Sequence, residues 1–178
     1  MKKNTIFKAI VSVLIVAAAV AFLPCIKVVA IEDRNNLRFG FTKKNSGNIY
    51  SRKALDGFAV SYTHSVNKGR VHDWYECVSS PWKSWFVLKK SVFVSYGAGI
   101  PEPYEIQGCS FEITDTGYVI DGLNRELGSF LLAVGVVAEH SVTIGKDEYF
   151  LKDFFPAQTS LLFRIRRISV LKYIKRAF

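Results

Sequence analysis

The chain begins with one long apolar stretch and continues with short runs rich in β-branched and aromatic residues. Residues 9–26 contain no charged side chain and predict a helix, in which those eighteen residues would span about 27 Å at roughly 1.5 Å per residue. From residue 58 onward the apolar runs are short and are separated by turn residues such as Gly, Asn and Pro. These runs are residues 58–66, 71–78, 82–88, 91–96, 111–114, 118–120, 130–144 and 161–168. The pattern predicts an all-β fold, an antiparallel β-sandwich or barrel-like domain preceded by one N-terminal hydrophobic helix.

The segments outside these runs complete the division of the chain. Residues 28–41 predict an initial strand and loop, and residues 43–48 predict a turn. Residues 122–127 and the last ten residues have a helical pattern instead. We therefore expect a signal-anchor helix or signal peptide over 1–30, a β domain over 31–168 and a basic C-terminal tail over 169–178.

The positive charge of the protein comes from the two ends of the chain. The formal net charge is +9, and nine basic residues lie in terminal segments without acids, so the remaining fifteen bases are balanced by fifteen acids. The terminal bases are Lys2, Lys3, Lys8, Arg164, Arg166, Arg167, Lys172, Lys175 and Arg176. A nucleic-acid-binding protein is expected to carry a basic stripe on its folded body. The distribution therefore argues against nucleic acid as a partner and favours attachment to a membrane.

The N-terminal stretch permits two interpretations. Its length just reaches across a bilayer core of about 30 Å, but a basic start, an apolar run and small residues also describe a secretory signal. We favour the uncleaved anchor. Basic residues after the stretch would favour a cytoplasmic domain, although long folded domains cross membranes largely regardless of such charges. We expect a single-pass membrane protein whose domain lies on the extracytoplasmic side.

Cysteine and metal signals in the sequence are weak. Cys25 belongs to the N-terminal stretch, whereas Cys77 and Cys109 could form a disulfide outside the cell or stay reduced inside it. The sequence contains no CxxC and no cysteine spacing typical of metal ligands. We expect neither a cofactor nor a metal.

The segment 62–73 contains the strongest candidate for a site. Side chains alternate between faces along a strand, and a four-residue turn at 67–70 keeps the apolar face of the two strands in agreement. The predicted cross-strand partners are Val66 with Val71, His64 with Asp73 and Tyr62 with Tyr75. We therefore predict that the His64 imidazole and the Asp73 carboxylate meet across the hairpin.

Three interpretations of this predicted pair remain open: a buried polar pair, a contact site for a ligand or partner, and a catalytic or metal site. Ser65 and His72 point to the opposite face, so neither joins His64. A hydrolase would need a hydroxyl or thiol nucleophile on the His64 face. The neighbouring sequence supplies there only Tyr62, Tyr75 and Cys77.

A second candidate segment is Gly97-Ala98-Gly99-Ile100-Pro101. Its glycines permit positive φ and its proline stiffens the exit, so an ordinary turn explains the segment without a ligand. Such a loop can also expose backbone amides to an anion. Gly97, Gly99 and Pro101 are therefore candidates for contact with a ligand or partner.

Together these segments resemble a bacterial family known as domain of unknown function 1850. The resemblance rests on Tyr62-Thr63-His64-Ser65-Val66, on Val71-His72-Asp73 and on Gly97-Ala98-Gly99-Ile100-Pro101. Two positions depart from the family pattern, because Arg70 stands where the family usually has Pro and Asp73 where it usually has Glu. The shorter Asp73 side chain could loosen a contact with His64.

The family has no established activity, so the resemblance assigns no catalytic residue. Its genes often neighbour tripartite ATP-independent periplasmic (TRAP) transporters that use a TAXI-class solute-binding protein. The resemblance thus implies an accessory domain in the bacterial cell membrane, close to a solute importer.

Three hypotheses about function follow. The leading one is a non-enzymatic, membrane-tethered domain that contacts a TRAP/TAXI transporter or its binding protein. The alternative is a small-molecule or metal-binding module centred on His64 and Asp73. A hydrolase is the third.

Overall fold

A long N-terminal helix followed by two antiparallel sheets forms the computed structural model, which describes residues 2–37, 48–66, 68–94, 108–115 and 117–175. The helices are α1 (Lys2–Phe22), α2 (Arg34–Leu37) and α3 (Val170–Ile174). The strands are β1 (Ile26–Asp33), β2 (Ile49–Ser51), β3 (Phe58–Thr63), β4 (Arg70–Ser79), β5 (Ser84–Phe93), β6 (Ser110–Thr114), β7 (Gly117–Leu127), β8 (Ser129–Ala133), β9 (Ser141–Ile144), β10 (Asp147–Phe150) and β11 (Ser160–Ile168).

The two sheets form a sandwich. A four-stranded sheet has the order β2-β1-β11-β8, and a seven-stranded sheet has the order β10-β9-β3-β4-β5-β7-β6. All of the strand pairs are antiparallel. The predicted fold, an antiparallel β-sandwich with one long N-terminal helix, is confirmed.

Aromatic side chains from both sheets fill the core between them. Phe163 of the smaller sheet stacks on Phe130 with a ring-centroid distance of 4.6 Å, and Phe130 stacks on Tyr75 of the larger sheet at 5.0 Å. Phe58 adds a stacked contact to Tyr75 at 5.2 Å and meets the edge of Phe86 at 5.4 Å. Such aromatic contacts contribute beyond the burial of their area, so the two sheets are joined by one continuous apolar layer.

The predicted elements differ from the structure in three places. Residues 122–127 belong to strand β7 rather than to a helix, and the two predicted runs 82–88 and 91–96 correspond, over the part that the structure describes, to the single strand β5. The predicted run 130–144 divides into β8 and β9 with a connection between them. The first difference arises because pairing with β5 overrides the helix propensity of the short 122–127 segment.

The sandwich has two ends, which we name by their distance from α1. The proximal end is where α1 leads into β1, and there Ile26 pairs with Ile168. The distal end is at the other end of β1, where Asp33 pairs with Leu161. The turn between β3 and β4 also lies at the distal end. Thr63, beside this turn, donates its backbone N–H at 2.6 Å to the carbonyl of Ala138, which belongs to the β8–β9 connection.

Helix α1 exposes its apolar side chains all around. Phe7, Val13 and Leu14 are 66%, 67% and 62% exposed, and other large apolar side chains of the helix are at least one-third exposed. Within the described residues, no helix combines the length and apolarity needed to cross a membrane.

Cys77 and Cys109 are both free thiols in the structure. Cys77 packs against the main core, and Cys109 packs against a second apolar cluster around Val71, Phe93 and Ile120. Burial raises the pKa of the Cys77 thiol to about 12. The Cys77 side chain is therefore a neutral core residue, and its Sγ donates to the carbonyl of Ala54 at 3.2 Å.

Candidate functional site

The hairpin that carries the predicted pair has a longer turn than the sequence suggests. Thr63 pairs with Arg70, and Val60 pairs with Asp73. The His64 N–H donates to the carbonyl of Gly69 at 2.8 Å, which closes a six-residue turn over 64–69. The partner of Asp73 is Val60, and His64 lies four residues farther along the chain. At roughly 3.3 Å per residue, this separation is about 13 Å along the strand. The predicted pairing of His64 with Asp73 is therefore wrong.

The observed pairing of β3 with β4 is shifted from the predicted pairing, but this slip keeps each side chain on its predicted face. It amounts to four positions, and an even slip leaves every side chain on the side where the sequence places it. Tyr62 consequently faces Val71 instead of Tyr75, and Tyr75 faces Phe58. The alternation of apolar residues alone does not separate these two registers, because both keep the same side chains on the same face.

His64 instead belongs to a groove at the distal end. The groove measures about 360 Å³ and is lined by Thr63, His64, Ser65 and Lys68 together with residues 135–138. Val136 and Val137 of this lining are 70% and 71% exposed. Val66, whose backbone N–H donates to His64 Nδ1 at 3.3 Å, is 65% exposed. We call His64, Val66, Val136 and Val137 the distal patch.

Asp73 lies on β4 and is partly buried. It is flanked by Val60 of β3 and by Ser91 of β5, whose hydroxyl donates to Asp73 Oδ1 at 2.6 Å. Burial raises the pKa of the Asp73 carboxyl, and the hydrogen bond from Ser91 and the charge of His72 only partly oppose this effect. Asp73 thus holds a proton more readily than an exposed carboxyl does.

Tyr62 and Tyr75 share the face of Asp73. Burial raises the pKa of Tyr62, and the negative charge of Asp73 adds to the effect. The same two causes raise the pKa of Tyr75. The Tyr62 ring lies 5.8 Å from the ring of His140, so His140 rather than His64 is the histidine beside these phenols. The structure therefore brings three of the predicted site residues together and leaves His64 apart.

The opposite face of the same strands carries a polar network that the sequence analysis missed. Ser61 Oγ lies 2.7 Å from His72 Nδ1. Nearby, the Arg70 guanidinium donates to Ser141 Oγ at 2.6 Å and to Glu148 Oε1 at 3.1 Å. The correct register would have revealed the first contact, because Ser61 and His72 are direct cross-strand partners.

This polar network connects neighbouring strands and has a structural role. Ser61 is 1% exposed, so a substrate cannot reach its hydroxyl. Burial and the charge of Arg70 lower the pKa of His72, while the charges of Glu148 and Asp73 oppose that shift. The Ser61–His72 pair therefore connects β3 to β4 and does not support a hydrolase.

The other predicted positions add no ligand set. Gly97, Gly99 and Pro101 lie outside the described residues. Among the residues that the structure describes, no three His, Cys, Asp or Glu side chains are arranged to hold a metal ion.

Comparison with protein families gives a match. The sequence profile of a family described as "Domain of unknown function (DUF1850)" matches residues 58–151, which is just over half of the chain and includes β3 to β10. No curated protein and no solved structure matches the chain. The matched region includes His64, Asp73 and both faces of the hairpin.

Proposed function

Since the chain belongs to the DUF1850 family of uncharacterised domains, we propose that it acts as a non-enzymatic accessory domain that contacts a partner protein through the distal patch. In this proposal α1 attaches the domain to the bacterial cell membrane, with the β-sandwich on the extracytoplasmic side. The partner is a TRAP-type transporter of the TAXI class or its solute-binding protein.

The exposed apolar side chains of the distal patch carry this proposal. Val66, Val136 and Val137 are each at least 65% exposed and lie beside the His64 groove. Apolar surface gathered around a groove and rimmed by polar side chains is typical of protein contact sites. The rim is provided by Ser65 and Lys68. His64 would then serve as a polar contact within an otherwise apolar interface.

The membrane attachment is supported by α1. Side chains such as Phe7 and Leu14 expose about two-thirds of their area. A helix that is apolar all around needs an apolar environment to cover it. The lysines that precede the apolar segment are typical of the flanks of membrane-attached helices.

The choice of partner depends on the family. Resemblance to DUF1850 implies genes that neighbour TRAP transporters with TAXI-class binding proteins. A gene neighbourhood is an association and gives no mechanism, so the partner requires a direct experiment.

Co-purification from detergent-solubilised membranes tests the proposal. We expect tagged wild-type chain to retain transporter subunits or the solute-binding protein, identified by mass spectrometry. The double variant V136D/V137D should bind the partner at least about a hundredfold more weakly, because burial of each valine contributes about 1.4 kcal/mol or more, which is a factor of about ten in affinity. Leu131→Asp is the matched control, since Leu131 is 52% exposed on β8 and lies outside the patch.

Two results would contradict the proposal. One is a pure wild-type preparation that holds no transporter component. The other is equal capture by V136D/V137D and by the wild type, which would place the contact elsewhere on the molecule.

A small-molecule site is the second candidate, and Asp73 rather than His64 is its centre. A buried carboxyl with a raised pKa, held by Ser91 beside Tyr62, can donate a hydrogen bond to a neutral polar ligand. Thermal unfolding of the full chain with small neutral alcohols and amides tests it, with metals and small carboxylates as the charged comparison. A shift that disappears in Asp73→Ala but persists in His64→Ala would support this candidate, and the absence of any shift would remove it.

A further inference from the structure

A basic cleft opens at the proximal end of the sandwich. It measures about 210 Å³ and lies between the β4–β5 turn and the neighbouring ends of β1 and β11. Its described lining residues include four bases and no acid. These bases are Lys27, Lys83, Arg166 and Arg167.

Two of the bases are forced together by the strand register. Lys27 of β1 and Arg167 of β11 are direct partners in an antiparallel pair, and like charges in that position repel each other. Among the described residues, neither of them nor Lys83 forms a salt bridge, whereas Arg166 is tied to Glu32 at 3.1 Å. An anion bound between Lys27 and Arg167 would relieve the repulsion.

An exposed tryptophan lies on the wall of the same cleft. Trp82 is 96% exposed at the tip of the β4–β5 turn. Tryptophan combines a large apolar ring with one N–H donor, and it is enriched where hydrocarbon meets water at a membrane surface. A fully exposed tryptophan beside four bases is therefore suited to the interfacial layer of an anionic bilayer.

The cleft lies at the base of α1. Lys27 follows the last residue of α1, Phe22, by five positions, so the two are at most about 18 Å apart in an extended chain. The Arg167 guanidinium donates to the carbonyl of Cys25 at 3.3 Å, in the short connection between α1 and β1. If α1 is embedded in lipid, the cleft is held at the level of the headgroups.

From this placement we infer that the cleft binds the phosphate of an anionic phospholipid headgroup, with Trp82 inserted in the interfacial layer beside it. The inference rests on the proposed attachment by α1. Such a contact fixes the orientation of the sandwich on the membrane and directs the distal patch away from the bilayer.

Fluorescence quenching in lipid nanodiscs tests the inference on the full chain. The chain is reconstituted in discs of phosphatidylcholine alone or of phosphatidylcholine with phosphatidylglycerol. The acrylamide quenching of Trp82 is obtained as the difference between the wild type and Trp82→Phe. We expect phosphatidylglycerol to protect Trp82 from the quencher.

Charge variants test whether the bases of the cleft cause the protection of Trp82 by phosphatidylglycerol. The double variant K27Q/R167Q should shift the equilibrium between protected and unprotected Trp82 roughly 25-fold toward the unprotected state at the same phosphatidylglycerol fraction, since each base near an anionic membrane contributes a factor of about five. K53Q/K146Q removes the same charge from exposed positions outside the cleft and should behave as the wild type. K27Q/R167Q should have an unfolding temperature equal to that of the wild type or higher, because it removes the repulsion between Lys27 and Arg167. Such a result excludes misfolding as the cause of the lost protection.

The outcomes separate a failure of the headgroup site from a failure of the attachment by α1. Equal protection in K27Q/R167Q and wild type overturns the headgroup site, and so does protection of Trp82 by inorganic phosphate in phosphatidylcholine discs, which would indicate a soluble anion. A chain that co-elutes with phosphatidylcholine discs but gains no protection from phosphatidylglycerol contradicts only the headgroup site. A chain that elutes apart from both kinds of disc contradicts the attachment by α1 as well.

Discussion

Asp73 shows how burial gives a side chain properties that its sequence position alone does not reveal. Its carboxyl lies between two strands of the larger sheet and accepts a hydrogen bond from Ser91. Burial still raises its pKa. Ionisation of Asp73 therefore costs folding free energy, about 1.4 kcal/mol for each unit by which the folded-state pKa exceeds the unfolded-state value.

The stability of the protein should depend on pH through this group. The folded state binds the Asp73 proton more tightly than the unfolded state, so the Asp73 contribution falls as pH rises from the unfolded pKa through the folded pKa. We expect Asp73→Asn to gain stability relative to the wild type as pH rises from the unfolded-state pKa of about 3.9 toward neutral pH. Denaturant midpoints of both chains across this range provide the measurement.

Glu148→Gln is the matched control for that experiment. The hydrogen bond from Ser141 lowers the pKa of Glu148 and outweighs the effect of burial, and Arg70 contributes in the same direction. The contribution of Glu148 is therefore present above its unfolded pKa and is lost as pH falls. A pH trend of the same sign in both variants would show that the raised pKa of Asp73 is not the cause.

The sequence predicts which face each hairpin residue occupies but not which residues meet. Tyr62, Asp73 and Tyr75 share one face as expected, because alternation along a strand is a local property. The partner of Asp73 depends on the length of the turn, and a six-residue turn and a four-residue turn keep the same side chains on the same face. The strand pairing and the hydrogen bond from His64 to Gly69 distinguish them.

At the scale of elements, one buried carboxylate joins three strands and a helix. Glu32 of β1 is fully buried, accepts from the Tyr50 hydroxyl of β2 at 2.9 Å, and pairs with Arg164 and Arg166 of β11 at 2.6 and 3.1 Å. Lys172 of α3 approaches it at 3.8 Å. Burial raises the pKa of Glu32, but the arginines and Tyr50 outweigh that effect and hold the pKa below its ordinary value.

Glu32→Gln should destabilise the fold substantially. The amide leaves two arginines without their carboxylate, and loss of one partner from a buried ion pair costs roughly 3 kcal/mol when the other partner reaches solvent. Chemical denaturation measures the loss. Glu139→Gln, which removes only the exposed contact with Lys152 at 3.2 Å, should cost less than about 1 kcal/mol. Equal losses for the two variants would contradict the role of Glu32.

Strand type was easier to predict from the sequence than strand boundaries. Runs of β-branched and aromatic residues identified β3, β4, β6 and β11, because those residues suit a half-buried pleated surface. The helical pattern at 122–127 was misleading, since Gly122 and Asn124 adopt positive φ values of 84° and 46° at an irregularity opposite β5. Local propensity carries no information about that neighbouring strand.

At the scale of the whole molecule, the two ends of the sandwich have different surfaces. The proximal end carries α1, four bases and Trp82, and the distal end carries the exposed valines beside His64. Strand β1 runs from one end to the other over eight residues, which is about 26 Å at roughly 3.3 Å per residue. In the proposed arrangement the domain holds a protein-contact surface at that distance from the membrane.

Photo-crosslinking from the distal patch tests the central claim most directly. A photoreactive amino acid replaces Val137 in the full chain within living cells, and a second chain carries it in place of Leu131 as the control. We expect an adduct between position 137 and a transporter subunit or solute-binding protein, identified by mass spectrometry, and none from position 131. An adduct from position 131 alone, or none from position 137 at a level of expression that supports membrane attachment, would contradict that claim.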